Sequence, residues 1–176
     1  DKSREVPRPI DNDGEEESLE LFEDFLKIAK EKLLKGGACC CCCCGGGGGP
    51  KPLFAKWTLL MDEIIGFKQA VVWDKGGLGM GIHYRRNYEF MLIAQKRGAP
   101  AKWNGGNNTS NVFRLTKIIP SEEQHPTVKP VELFKHFIKL HSNEGDLILD
   151  AFAGTGVTGV ACVELNRRYI LIEKEL

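Results

Sequence analysis

Residues 147–156, Leu-Ile-Leu-Asp-Ala-Phe-Ala-Gly-Thr-Gly, carry the sharpest chemical signal in this chain. An apolar run ends in an acid, Asp150, and leads into Gly154 and Gly156 ahead of a helical pattern. An open α/β sheet holds a nucleotide-like ligand in this way. The glycines let the backbone come close to the ligand, and the helix N-terminus favours a negative group. A second acid, Glu173, closes the following apolar segment. It lies near the offset of roughly 20 residues at which a carboxylate accepts ribose hydroxyls. Taken alone, this pair of features fits a nicotinamide dinucleotide site as well as any other nucleotide-like cofactor.

A third element narrows the reading. His125-Pro126-Thr127-Val128-Lys129-Pro130 stands directly upstream of the helix that feeds the 147–150 segment. A His-Pro-Thr-x-Lys-Pro box, a helix, an Asp-x-Phe-x-Gly-x-Gly turn and a strand ending in Ile-Glu occur in that order. In this the chain resembles the amino-group DNA methyltransferases of permuted motif order, common in phages and restriction–modification systems. The likeness continues upstream through residues 71–75, Val-Val-Trp-Asp-Lys, and 84–90, Tyr-Arg-Arg-Asn-Tyr-Glu-Phe. It reaches the 37–49 segment and the helix before it, and so covers essentially the whole chain.

The resemblance implies a Rossmann-like methyltransferase fold, with S-adenosylmethionine as cofactor and double-stranded DNA as partner. Phe152, Gly154, Thr155 and Gly156 would wrap the methionine part, above Asp150 at the strand end. Thr127 and Lys129 would hold the amino-acid end, and Glu173 the ribose. Two positions depart from the family pattern: Ala151 stands where proline is usual, and Val128 where glutamate is common. Both side chains fit the turn, so a less rigid loop is expected rather than a lost site. Methyl transfer would go to N6 of adenine or N4 of cytosine in a flipped-out base, with catalysis resting on positioning.

The family's catalytic box, Asp-Pro-Pro-Tyr or a near variant, is absent, so no catalytic residue is assigned within the chain. In the permuted order that box precedes residue 1. The Arg8-Pro9-Ile10 stretch with Asn12-Asp13-Gly14 looks like the segment normally found just downstream of it. The strand that carries the box belongs between the segments at 147–150 and 38–44. Without it, two buried strand edges would be left unpaired. The sequence is therefore expected to be part of a longer chain, with an incomplete sheet and no activity of its own.

The elements that position these residues are legible from periodicity. Leu19, Phe22, Leu26, Ala29 and Leu33 recur at helical spacing, with Leu21 and Phe25 widening the stripe, and Gly36-Gly37 ends the helix. Residues 38–44 read as a strand buried on both faces. Next come a helix at 53–65 and strands at 67–73 and 88–94. The last two form an antiparallel hairpin around the glycines at 76–81. Pro130 opens a helix at 131–140, and a strand at 147–150, a helix at 159–165 and a strand at 169–173 complete the pattern. The whole reads as α/β, a mostly parallel sheet with one antiparallel hairpin. It forms a single domain over 1–176: the remainder of a catalytic half (1–96), an irregular candidate target-recognition segment (97–124) and a cofactor-binding half (125–176).

Twenty-four basic and 24 acidic side chains balance, which argues against a protein that coats nucleic acid through bulk charge. Six of the seven cysteines are consecutive, residues 39–44, and the seventh is Cys162. Adjacent cysteines cannot build loop-closing bridges, so a reducing cytoplasm is the expected setting. Alternate strand positions face opposite ways, so the run reads as small core rather than as a metal site. No apolar stretch approaches the roughly 18–20 residues that span a bilayer. His83, His136 and His141 lack ligand spacing, and His125 suits a turn as well as a ligand contact. Tyr84, Arg85 and Arg86 are candidates for phosphate contact. Arg114 and Lys117, with Asn107 and Asn108, either read DNA or belong to a solvated loop. A homodimer is the candidate assembly. The alternatives to a DNA methyltransferase are one acting on RNA, a non-catalytic remnant that binds DNA or a protein, and a nicotinamide-dependent oxidoreductase.

Overall fold

A computed structural model of the chain describes residues 15–43, 53–78, 83–85, 87–116 and 129–174. Helix α1 (Glu15–Lys32) is followed by β1 (Ala38–Cys43), α2 (Phe54–Ile64), β2 (Phe67–Asp74), β3 (Tyr88–Gln95) and β4 (Val112–Arg114). The chain then forms α3 (Val131–His141), β5 (Leu147–Asp150), α4 (Val157–Glu164) and β6 (Arg168–Leu171). The expected elements are present, β5 at its expected bounds and the others with stated bounds within two residues of them. The 97–124 segment is less irregular than its composition suggests, because it contains β4. Three residues are too short a run to show a period, and the neighbouring β2 supplies their ladder.

One sheet has the order β1-β3-β2-β4, and β5 pairs with β6 in a second. β3 runs antiparallel to both β1 and β2, while β2–β4 and β5–β6 are parallel pairs. The sheet is thus mixed, with β1, β2 and β4 running one way and the hairpin strand β3 the other. Among the described residues no strand lies between β1 and β5. Among the described residues β5 has β6 as its ladder partner, and Leu147 and Leu149 are exposed rather than buried.

β3 is the spine of the larger sheet. Met91, Leu92, Ile93 and Ala94 are all buried, because helices cover both of its faces. On one face Leu92 and Ala94 pack with Phe22, Leu26 and Ala29 of α1 and Met61 of α2. On the other, Met91 and Ile93 meet Trp73, Leu133 and Phe137 of α3. Fully burying a side chain such as Leu92 stabilises the fold by about 1.5–3 kcal/mol. A third cluster, Ile138 with Ala161 and Cys162, joins α3 to α4.

The cysteine strand departs from expectation. Cys39 is buried and Cys41 half-buried against α1 and α2, whereas Cys40 is exposed. Cys39 and Cys41 face the α1–α2 cluster, while Cys40 lies on the opposite face, where Cys42 packs against the cluster of α3. The Cys39 and Cys41 sulfurs lie 3.7 Å apart on the α1–α2 face. Residues 1–14, and Cys44 at the expected end of the cysteine strand, lie outside the described residues.

Candidate cofactor loop and rim

β5 ends at Asp150 and the chain turns at once. One carboxylate oxygen of Asp150 accepts the Phe152 N–H at 3.0 Å, and the other accepts the hydroxyl of Thr158. A single side chain thus ties the strand end, the turn and the first turn of α4 together. Thr158 is buried, which shields this bond from water. Gly156 donates to the Ala153 carbonyl at 2.8 Å and serves as the N-cap of α4. Gly154 and Gly156 have φ of +50° and +76°, in the left-handed region that a side chain would strain. A Cβ on Gly154 would meet nothing within 4 Å. The space above this turn is open.

The β5–β6 ladder continues past the strands. Ile172 N donates to the Asp150 carbonyl at 2.9 Å, and Ala153 N to the Ile172 carbonyl at 3.0 Å. These bonds carry Glu173 to the glycine turn. Its Oε2 accepts the Gly154 N–H at 2.5 Å, and its Oε1 accepts the Lys174 N–H at 2.9 Å. The acid predicted at the end of a strand therefore stands just beyond β6, across the turn from Asp150. Phe152 is exposed, and its ring meets Phe25 of α1 edge-on at 5.4 Å between centroids. Lys129 is half-buried one residue ahead of Pro130, the N-cap of α3. Thr127, Val128 and His125 lie outside the described residues.

The structure thus brings Asp150, Phe152, Gly154, Thr155, Gly156 and Glu173 into one turn. Two participants escaped sequence reasoning. Thr158 had no signal beyond being polar in a helical first turn. Phe25 was counted only as part of the α1 stripe, and its contact with Phe152 depends on how α1 sits against the loop.

The candidate DNA contacts fall on the rim where β2 ends and β3 begins. Tyr84 is almost fully exposed and Arg85 is exposed. Arg114 lies 2.9 Å from Asp74. The Gly76 N–H, also 2.9 Å from Asp74, and this guanidinium hold the Asp74 carboxyl below its usual value. Beside them Lys75 and Glu89 form a largely buried ion pair at 3.1 Å, and Cys42 donates to the other Glu89 oxygen. Asn107 and Asn108 are exposed in a turn closed by the Thr109 N–H on the Gly106 carbonyl. Arg86 and Lys117 lie outside the described residues, as do residues 79–82 of the glycine connection.

Comparison with known proteins decides the family. Residues 7–176 match the DNA methylase family of N6 and N4 methyltransferases. The chain belongs to that family. The Type II methyltransferase M2.MboI of Moraxella bovis is 42% identical over 78 residues, 43% of this chain and 29% of that protein. The DNA adenine methyltransferase YhdJ of Escherichia coli (strain K12) is 36% identical over 85 residues, 47% of this chain and 29% of that protein. The matched segments thus span less than a third of these relatives.

Among solved structures, the M1.HpyAVI–SAM complex superimposes with a TM-score of 0.74 at 25% identity, over 92% of this chain and 79% of that one. The cytosine-N4-specific PvuII DNA methyltransferase gives 0.75 at 17% identity, over 91% of this chain and 67% of that one, and shows the shared fold. The fold of this family member is therefore the α/β methyltransferase fold. No helix among the described residues is long and apolar enough to cross a membrane.

Proposed function

We propose that this chain is the cofactor-binding part of a DNA methyltransferase that methylates an exocyclic amino group, N6 of adenine or N4 of cytosine. One observation carries the reading. In a chain matched to the DNA methylase family over residues 7–176, the Asp150–Thr158 bond and the Glu173–Gly154 bond shape an open glycine turn. The residues fit S-adenosylmethionine. Gly154 leaves room above the turn, Phe152 offers an exposed aromatic face, and Glu173 presents carboxylate oxygens that can accept ribose hydroxyls. Thr155 and Gly156 would line the methionine side, with Thr127 and Lys129 toward its amino-acid end. The bound cofactor supplies a methyl group on a positively charged sulfur. The chain's own residues orient it and fix the turn that faces it.

DNA would lie along the rim bearing Tyr84, Arg85 and Arg114, with Arg86 and Lys117 as further contacts. Segment 97–124 would contribute target recognition, in a cytoplasmic enzyme of restriction–modification type. The catalytic box would come from sequence outside these 176 residues, filling the place between β1 and β5. The chain alone is expected to bind cofactor without methylating. A non-catalytic remnant that binds DNA or a partner protein is the second reading.

Calorimetric titration of the chain with S-adenosylmethionine, beside a Gly154→Asp variant, tests the proposal. Saturable binding that disappears in the variant is the expected result. A folded chain that releases no heat would overturn the cofactor assignment and favour the remnant.

A further inference from the structure

A second concavity lies at the opposite end of the strands from the glycine turn. It measures about 280 Å³ and sits between the face of the larger sheet and the second half of α3, under the segment 101–111. The starts of β1 and β2 and the end of β3 line it, and none of residues 150–173 does. It is therefore separate from the site described above.

The roof is strapped down on both sides. Asn104 donates its backbone N–H to the Leu140 carbonyl at 2.9 Å, and its side-chain amide to the Lys139 and Ser142 carbonyls at 3.0 and 2.8 Å. Lys102 pairs with Asp146 at 2.5 Å, and the Asn111 carbonyl accepts the Val72 N–H at 2.8 Å. A roof held at this many points keeps the cavity open without a ligand, as small-molecule sites generally are.

The lining has a definite chemistry. The Trp103 and His141 rings lie 5.4 Å apart between centroids with their planes tilted by 56°, and His136 is stacked on Phe113 at 4.1 Å. Burial lowers the pKa of both imidazoles, and His141 also hydrogen-bonds the Lys102 backbone. Gln69 and Gln95 line the sheet side; Gln69 is exposed, and the Gln95 amide donates to the Gly36 carbonyl at 3.5 Å. Among the described residues no aspartate or glutamate lines the cavity, and the charged members are Lys68 and Lys102. Aromatic faces stack on flat rings, and a glutamine amide matches the paired donor and acceptor on an adenine edge. The absence of acids disfavours a cation. The volume falls at the low end for ligand pockets, which suits a single base with its sugar.

We propose that this cavity is a binding site for a purine nucleoside, distinct from the cofactor turn and independent of the function proposed above. The test uses adenosine as probe and follows the indole N–H signals of the three tryptophans by ¹H–¹⁵N NMR. In the whole chain saturated with S-adenosylmethionine, and again in the Gly154→Asp variant, adenosine should shift the Trp103 signal saturably. The signals of the more buried Trp57 and Trp73 should stay in place. Gln69→Leu should weaken binding about tenfold, the loss of one good hydrogen bond. No Trp103 shift overturns the proposal. So does a shift that saturating S-adenosylmethionine and Gly154→Asp both abolish, since adenosine would then occupy only the cofactor turn. Unchanged affinity in Gln69→Leu overturns the assignment of the amide as the base-reading group.

Discussion

The four-stranded sheet and the β5–β6 pair are held by different forces. In the first, β3 is buried on both faces between α1–α2 and α3. In the second, Leu147, Leu149, Tyr169 and Ile170 are exposed. Burial holds the larger sheet. The smaller one is ordered by its ladder, by α4 packing on α3, and by carboxylates that fasten the turn. The consequence is a division of labour. Non-directional apolar packing gives stability, while directional bonds from Asp150 and Glu173 set the shape that a ligand meets.

The widest gap between the two regions should appear on truncating matched leucines. Leu92→Ala, in a fully buried site, is expected to cost about 2–5 kcal/mol in urea unfolding. Leu149→Ala, at a side chain 46% exposed, should cost well under that. Equal losses would mean that the smaller sheet is covered in solution and would remove the contrast.

Thr158→Val sharpens the comparison from the other side. It keeps the shape but leaves the Asp150 oxygen without its hydroxyl partner, at a cost of about 1–3 kcal/mol. Cofactor affinity should fall with it, whereas Thr158→Ser should restore both. A variant that loses stability but binds cofactor as before would show that Asp150 supports the fold and not the turn.

The smallest effect concerns pH. Burial lowers the pKa of His136, with the nearby Lys139 charge adding to it, and burial likewise lowers that of His141. Both therefore take up protons more readily when unfolded. Stability should be unaffected by them above their ordinary value of 6.5 and should decline as pH falls below it. Asp74 and Asp146 are shifted down by hydrogen bonds and cations, and their stabilisation is lost only as pH falls below about 3.8. Thermal melts at about pH 7, 6 and 5 should show a falling Tm that His136→Phe partly flattens. Because both histidines pack on the larger sheet's side of α3, no matching change is expected at the glycine turn.

Much of this molecule was written in its sequence. The helical stripe of Phe22, Leu26 and Ala29, the hairpin of β2 and β3, and the acid–glycine turn at 150–156 are local patterns. Each is fixed by the geometry of one helix, strand or turn, and each can be read without knowing its neighbours. The tertiary structure decided what depends on contacts between distant segments. β4 exists because β2 offers it hydrogen bonds, and Cys40 is exposed on the face of β1 turned away from α1 and α2. Glu173 reaches Gly154 because the ladder runs on past β6. Thr158 and Phe25 join the loop only when α4 and α1 are in place. Periodicity records which way a side chain points along its own element, and carries no information on which distant partner will meet it.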